Sequence, residues 1–175
     1  KLFISPSTAL ETYKNAVNPT DAVAGLRAVV GKLCRLPEYV DCGHYEKLLE
    51  RLPEIPMTEL YGEKCIKPAQ FWSGRINVEI PELYPVFPYE QYGIGRPDLF
   101  AAIHTWRHTP DSQKHYQSWH QDGIFTARMG LTEEAKEINV KKLQNSGRRF
   151  PAFWGPGHDW VPDHNWGGSG MIGLQ

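Results

Sequence analysis

NPTDAVAGLRAVVGKLCRL, residues 18–36, reads as an amphipathic helix that carries its own start signals. Val23, Leu26, Val29, Val30 and Leu33 recur at spacings of three and four, so a helix would gather them on one buried face. Asn18 suits the capping position, Pro19 the first helical position, where no backbone N–H is missed, and Asp21 the positive end of the helix dipole. Pro37 then ends the pattern, since a proline ring clashes with the preceding turn.

Further helices follow along the chain. A second is expected over about residues 42–52, burying Tyr45, Leu48, Leu49 and Leu52. PDLFAAIHTWRH begins another at Pro97, one more is expected over about 113–129, and LTEEAKEINVKKLQNSG adds a last one. In that last helix Thr132 serves as cap, acids come first, lysines later, and Gly147 makes the stop. Between them, residues 1–18 read as a short extended LFIS and a loop, TELYGEKCIKP as a hairpin around Gly62, and the proline-rich 67–97 as a long ordered loop. The class expected from this pattern is mainly α, in a single region covering residues 1–175.

Composition limits the function. Nineteen lysines and arginines nearly balance twenty acids, so no broad basic field exists to hold nucleic acid. No apolar run reaches the roughly 18 residues of a membrane span. Cys34, Cys42 and Cys65 lack zinc-knuckle or paired disulfide spacing; buried free thiols are expected, with Cys34 and Cys42 the only pairing to consider. Lys1 opens directly onto an apolar LFI and NWGGSGMIGLQ reads as a helix just begun, so a piece of a larger protein is expected.

Chemistry concentrates in FWGPGHDWVPDHNWGGSG, residues 153–170. His158, Asp159, Asp163 and His164 form a possible metal cluster, and His104 and His108 lie four apart on a helix. That pair lacks both a third ligand and the glutamate of the zinc-protease motif, so packing competes with metal binding. No G-x-S-x-G elbow is present, and Ser169 lies among glycines that permit close backbone approach. Sugar chemistry needs an acid, an activated water and aromatic faces for the ring. Glu11 and Asp163 both occupy irregular segments next to helix starts, from which a carboxyl group can project into a cleft, though loop carboxylates more often serve as solvated surface or caps.

ISPSTALETYKN resembles the S-P-S-x-S-P-E-N-x-Y segment, and VPDHNWGGSGMIGLQ the I-D-G-N-F-G-G-T-A-G-I-A-E-M segment, of the α-L-fucosidase-type glycoside hydrolases of family 95. NVEIPELYPVFPYEQY and SWHQDGIFTARMGLTEEA resemble two intermediate segments in the same order. The resemblance implies an (α/α)6 toroid of the six-hairpin glycosidase kind, of which this chain would be the C-terminal half. It implies hydrolysis of an α-linked, fucose-like sugar from an oligo- or polysaccharide with inversion. Glu11 would be the general acid and Asp163 the partner of the water-activating group, roughly 6.5–9.5 Å apart to admit the water. Trp119, His120, Asp122, Trp154, His158 and Asn165 would line the sugar pocket. The expected partners are a carbohydrate and the remainder of the same catalytic domain, with no cofactor and no metal, in a secreted or periplasmic protein.

Departures from the family pattern are specific. The family's His-Arg-His is Asn77, Val78 and Glu79 here, and its Trp-Ser-x-Ala-Trp is Trp119, His120, Gln121, Asp122 and Gly123. Hydroxyl contacts would differ accordingly, with His120 and Asp122 either sugar contacts, a replacement acid pair, or members of a structural network. A carbohydrate-binding protein without catalysis is the alternative from another class.

Overall fold

The computed structural model describes residues 1–36, 41–116, 120–143 and 172–175. These residues build a mixed α/β architecture with two antiparallel sheets, which corrects the expectation of a mainly α toroid. They fall into two compact units: Lys1–Tyr92 with Arg96–His108, and Gly93–Gly95 with the described residues of Thr109–Gln175.

In the first unit, strands replace the loops expected at the N-terminus and over 67–97. β1 (Ser7–Ala9) and β2 (Tyr13–Pro19) form an antiparallel hairpin. β5 (Ala69–Phe71) pairs with the end of β2, through Val17 opposite Phe71, and β6 (Gly74–Arg75) pairs with its start, through Tyr13 opposite Arg75. Ala9 and Ala16 are fully enclosed, small enough to let neighbouring elements approach closely.

Asn18 does not cap the helix that follows. It is the penultimate residue of β2, with φ of 50°, its Oδ1 accepting from the Ile4 N–H at 2.8 Å and its Nδ2 donating to Gln70 Oε1 at 2.7 Å. Helix α1 (Thr20–Leu33) therefore begins two residues later, with Pro19 at the cap position and the Thr20 hydroxyl donating to the Lys67 carbonyl. Its buried face is Thr20, Val23, Ala24 and Val30; Leu26 and Val29, expected inside, are 43% and 56% exposed.

Helix α2 (Cys42–Arg51) packs on α1 and is capped by Asp41, whose Oδ1 accepts from the His44 N–H. Leu52, just beyond it, is buried, whereas Tyr45, Leu48 and Leu49 are only half-buried. The hairpin around Gly62 forms as read: β3 (Met57–Leu60) and β4 (Glu63–Ile66) are joined by Tyr61 and Gly62, both at positive φ, as a two-residue turn matched to strand twist requires. Helix α3 (Leu99–His108) packs on β4, with Thr105 Oγ1 accepting from the Ile66 N–H at 2.7 Å.

The second unit is built on a helical hairpin, α4 (Asp122–Arg128) and α5 (Thr132–Leu143), turned through Gly130 at φ of 78°. Thr132 is itself the first helical residue of α5. Of the helix expected over 113–129, the described residues form Asp122–Arg128, while 114–116 are not helical and the His115 N–H donates to Asp122 Oδ2 at 2.8 Å. Asn139 of α5 donates from Nδ2 to the carbonyls of Ala135 and Gly123. Gly173 flanks the same amide, and a methyl group on either Gly123 or Gly173 would collide with it. Among the described residues, no helix is long and apolar enough to cross a membrane.

Candidate active site

The turn between β1 and β2 consists of Leu10, Glu11 and Thr12, and each neighbour of Glu11 is tied down by a carboxylate. The Leu10 N–H donates to Asp21 Oδ2 at 3.0 Å and Thr12 Oγ1 donates to Glu79 Oε2 at 3.4 Å. The Thr12 N–H also donates to the Ala9 carbonyl at 3.0 Å, and the Thr12 carbonyl accepts from the Ile76 N–H at 2.9 Å. Leu10 has φ of 48°, a conformation costing a residue with a β-carbon roughly 1–2 kcal/mol. Such strain persists only where the surroundings impose it, and it gathers at functional positions. Glu11 is exposed and, among the described residues, its carboxylate has no hydrogen-bond or ion-pair partner.

A half-buried polar cluster adjoins the turn. The Tyr13 hydroxyl donates to Glu82 Oε1 at 2.7 Å, the Arg75 guanidinium is 5.5 Å from the Tyr13 ring centre, and an Arg75 amine donates to the Glu79 carbonyl at 3.1 Å. The Trp72 ring meets Tyr13 edge-on at 5.5 Å. Burial pushes the carboxyls of Glu82 and Asp21 above the usual carboxylate range, the Tyr13 hydroxyl bond acting against it at Glu82 and the Leu10 N–H against it at Asp21. Burial also pushes the Tyr13 and Tyr84 hydroxyls well up, with the Glu82 charge adding to the effect at Tyr13. Glu82 as a whole is half-buried, yet its Oε2, like Asp21 Oδ1 and Arg75 Nε, is buried without a hydrogen-bond partner among the described residues.

Sequence reading missed the roles of Asp21, Arg75 and Glu82. Asp21 does lie in the first turn of α1, where the helix dipole favours an acid, but its oxygen is directed at Leu10. Nothing local marks Glu82 as buried; its environment arises from β2 and β6, distant in sequence. The one available signal was that Asn77, Val78 and Glu79 replace a sugar-facing segment of the resembled family.

In the second unit His120 and Asp122 come together, Nδ1 to Oδ1 at 3.8 Å, and the His115 ring lies 4.8 Å from that of His120. Lys142 closes the group by donating to the carbonyls of Tyr116 and His120 at 3.1 and 2.8 Å. Asp122 is 1% exposed and its carboxyl is raised from 3.8 to about 7, with burial the cause, opposed by the His115 N–H. Burial lowers His120 from 6.5 to about 4, helped by the neighbouring His115 and Lys142 charges, and lowers Lys142 from 10.5 to about 8. His120 is thus neutral at pH 7 and its contact with Asp122 is no ion pair. Sealed as it is, Asp122 would act on a ligand only through His120.

The pH behaviour of this group is testable. The unfolded chain loses the Asp122 proton near pH 4 while the folded chain holds it to about pH 7, so stability through this group falls as pH rises across that window. His120 acts in the opposite sense between about pH 4 and 6.5. Asp122→Asn removes the first contribution and leaves that of His120 in place. The stability of the variant relative to the native chain, from denaturation midpoints, is expected to climb from about pH 4 to 7 and then level off; a difference independent of pH would contradict the burial of a titrating carboxyl.

Asp163, Asn165, Trp119, Trp154 and His158, together with Asp159 and His164, lie outside the described residues. His104 and His108 are brought together by Glu63, which receives their Nε2 atoms at 3.4 and 2.7 Å. Among the described residues, no group of three or more histidines, cysteines or acids is placed to hold a metal ion. All three cysteines are free, and the Cys42 thiol donates to the Cys34 carbonyl at 3.5 Å. No protein-family model, curated protein or solved structure matches the chain.

Proposed function

We propose that this chain hydrolyses an α-linked glycoside, with Glu11 protonating the leaving oxygen. The observation that carries the proposal is the contrast within one turn. Leu10 and Thr12 are held by the carboxylates of the half-buried Asp21 and Glu79, while Glu11 between them is exposed and has no partner among the described residues. A general acid needs this combination: a fixed backbone so that the carboxyl meets one oxygen in one geometry, and no competing partner. Ile76, 62% exposed and bonded through its N–H to Thr12, adds an apolar surface beside the turn suited to the C–H face of a sugar ring. The segment ISPSTALETYKN, which resembles the acid motif of the family 95 fucosidases, supports the same role for Glu11.

In the proposed reaction Glu11 gives its proton to the glycosidic oxygen as the bond to the anomeric carbon breaks, and a water attacks from the opposite face. Asp163 is the proposed partner in activating that water. The substrate is a fucose-like unit of an oligo- or polysaccharide, which suits a secreted or periplasmic protein. Proton NMR of the reducing sugar first released tests the course of the reaction. The anomer of inverted configuration is expected; first release of the retained anomer would mean a covalent intermediate and would overturn the assignment of a water-activating side.

A further inference from the structure

A cavity opens beside α1, lined by that helix, Leu49 of α2 and the segments Tyr89–Gln91 and Arg96–Pro97. It encloses about 430 Å³, within the roughly 300–1,000 Å³ of small-molecule sites. Arg27 and Gly31 lie four residues apart on one side of α1, with Lys32 adjacent, Arg35 in the turn just past the end of the helix and Arg96 on the facing loop. Among the described residues, four lining cations thus accompany one lining carboxylate, Glu90, in a chain whose total charge is only −1. Arg27 is engaged by Glu54 at 3.3 Å and by the Pro53 carbonyl at 3.2 Å. The side chains of Lys32, Arg35 and Arg96 make no ion pair among the described residues.

The walls are held in place independently of any ligand. Tyr89 packs directly on Gly25, where a β-carbon would come within 2.9 Å of its ring. Gln91 Nε2 donates to the Ala24 carbonyl at 2.6 Å and the Gln91 N–H to the Pro85 carbonyl at 2.7 Å, so the loop is bonded both to α1 and to itself. Gly31 has nothing within 4 Å of the place a β-carbon would take, which leaves the middle of the cationic row open.

Guanidinium forks present paired N–H groups that match sulfate and carboxylate oxygens, and a tyrosine ring offers a face to a sugar. We infer that this cavity binds an anionic saccharide unit, a sugar ring bearing a sulfate ester or a carboxylate. This rests on the glycosidase reading and names its substrate class: an acidic glycan, gripped by its charged substituent.

Calorimetric titration of the full chain with a sulfated oligosaccharide, an oligouronate and a neutral oligosaccharide of the same length tests the inference without requiring turnover. At least one charged ligand is expected to bind about tenfold or more tighter than the neutral one, with the advantage shrinking as salt is raised. Arg35→Ala combined with Arg96→Ala should remove that advantage, whereas Lys47→Ala with Lys136→Ala, which removes equal charge from exposed positions elsewhere, should change binding less than about twofold. Equal binding of charged and neutral ligands, or retained affinity in the double arginine variant, overturns the site. Inorganic sulfate binding as tightly as the sulfated oligosaccharide overturns the saccharide assignment. Hydrolysis of neutral glycosides with no preference for charged ones would defeat this inference and leave the glycosidase reading intact. Arginine-dependent binding with no hydrolysis of any glycoside would defeat that reading instead.

Discussion

Glu11→Gln is expected to lower turnover of an α-linked glycoside by about 10²- to 10⁴-fold, the contribution of a positioned general acid. Glutamine keeps the shape and polarity of the side chain but has no proton of suitable acidity to deliver. Because Glu11 is exposed and has no partner among the described residues, stability should change by less than about 0.5 kcal/mol. The two readouts separate the catalytic reading from a protein that only binds carbohydrate: there, Glu11→Gln leaves sugar affinity unchanged and no turnover exists to lose. Asp21→Asn would act differently. It disturbs the carboxylate that accepts from the strained Leu10, so its effect should appear as lost stability and altered placement of the turn together.

The second large effect is structural and belongs to the helical hairpin. Gly123→Ala and Gly173→Ala each place a methyl group against the amide of Asn139, which is fully buried and has its Oδ1 without a hydrogen-bond partner among the described residues. That amide has little room to yield, because its Nδ2 is committed to the carbonyls of Ala135 and Gly123. Overpacking of this kind costs about 1–3 kcal/mol, so each variant should unfold at clearly lower denaturant concentration. A control at Gly74, where a β-carbon meets nothing within 4 Å, should leave the midpoint nearly unchanged. If Gly173→Ala behaves like Gly74→Ala, the last residues of the chain do not pack on α5 as described.

These two positions show what local sequence could and could not reveal. Helices α2, α3 and α5 and the Gly62 hairpin were legible because spacing, acids before bases and turn residues act over short range. The β1–β2–β5 sheet was not. Lys14, Asn15 and Asn18 break the alternation of β2, and the partners that fix it, Ala69–Phe71 and Gly74–Arg75, lie fifty or more residues away in a proline-rich stretch. Asn18 carried a capping signal that tertiary hydrogen bonds to Ile4 and Gln70 override. The mainly α reading therefore failed where long-range strand pairing competes with local helix signals.

The candidate site was legible in a similarly uneven way. Glu11 could be singled out because it stands in a motif, and His120 and Asp122 because they replace motif residues; the structure brings that last pair within 3.8 Å. The groups that hold the Glu11 turn, Asp21, Glu79 and Glu82, were invisible as a set, since only folding collects them around Leu10, Thr12 and Tyr13. The tryptophan- and histidine-rich stretch of residues 153–170 contains Asp163, whose separation from Glu11 lies outside the described residues.

The most direct test of Glu11 as the acid is the dependence of its loss on the leaving group. Hydrolysis of an alkyl glycoside and of a dinitrophenyl glycoside of the same sugar should be measured with the native chain and with Glu11→Gln. An alkoxide needs the proton, so the loss there should reach about 10²- to 10⁴-fold, whereas dinitrophenolate leaves readily without one and the loss should shrink to about tenfold or less. Equal losses on both substrates would contradict proton donation by Glu11.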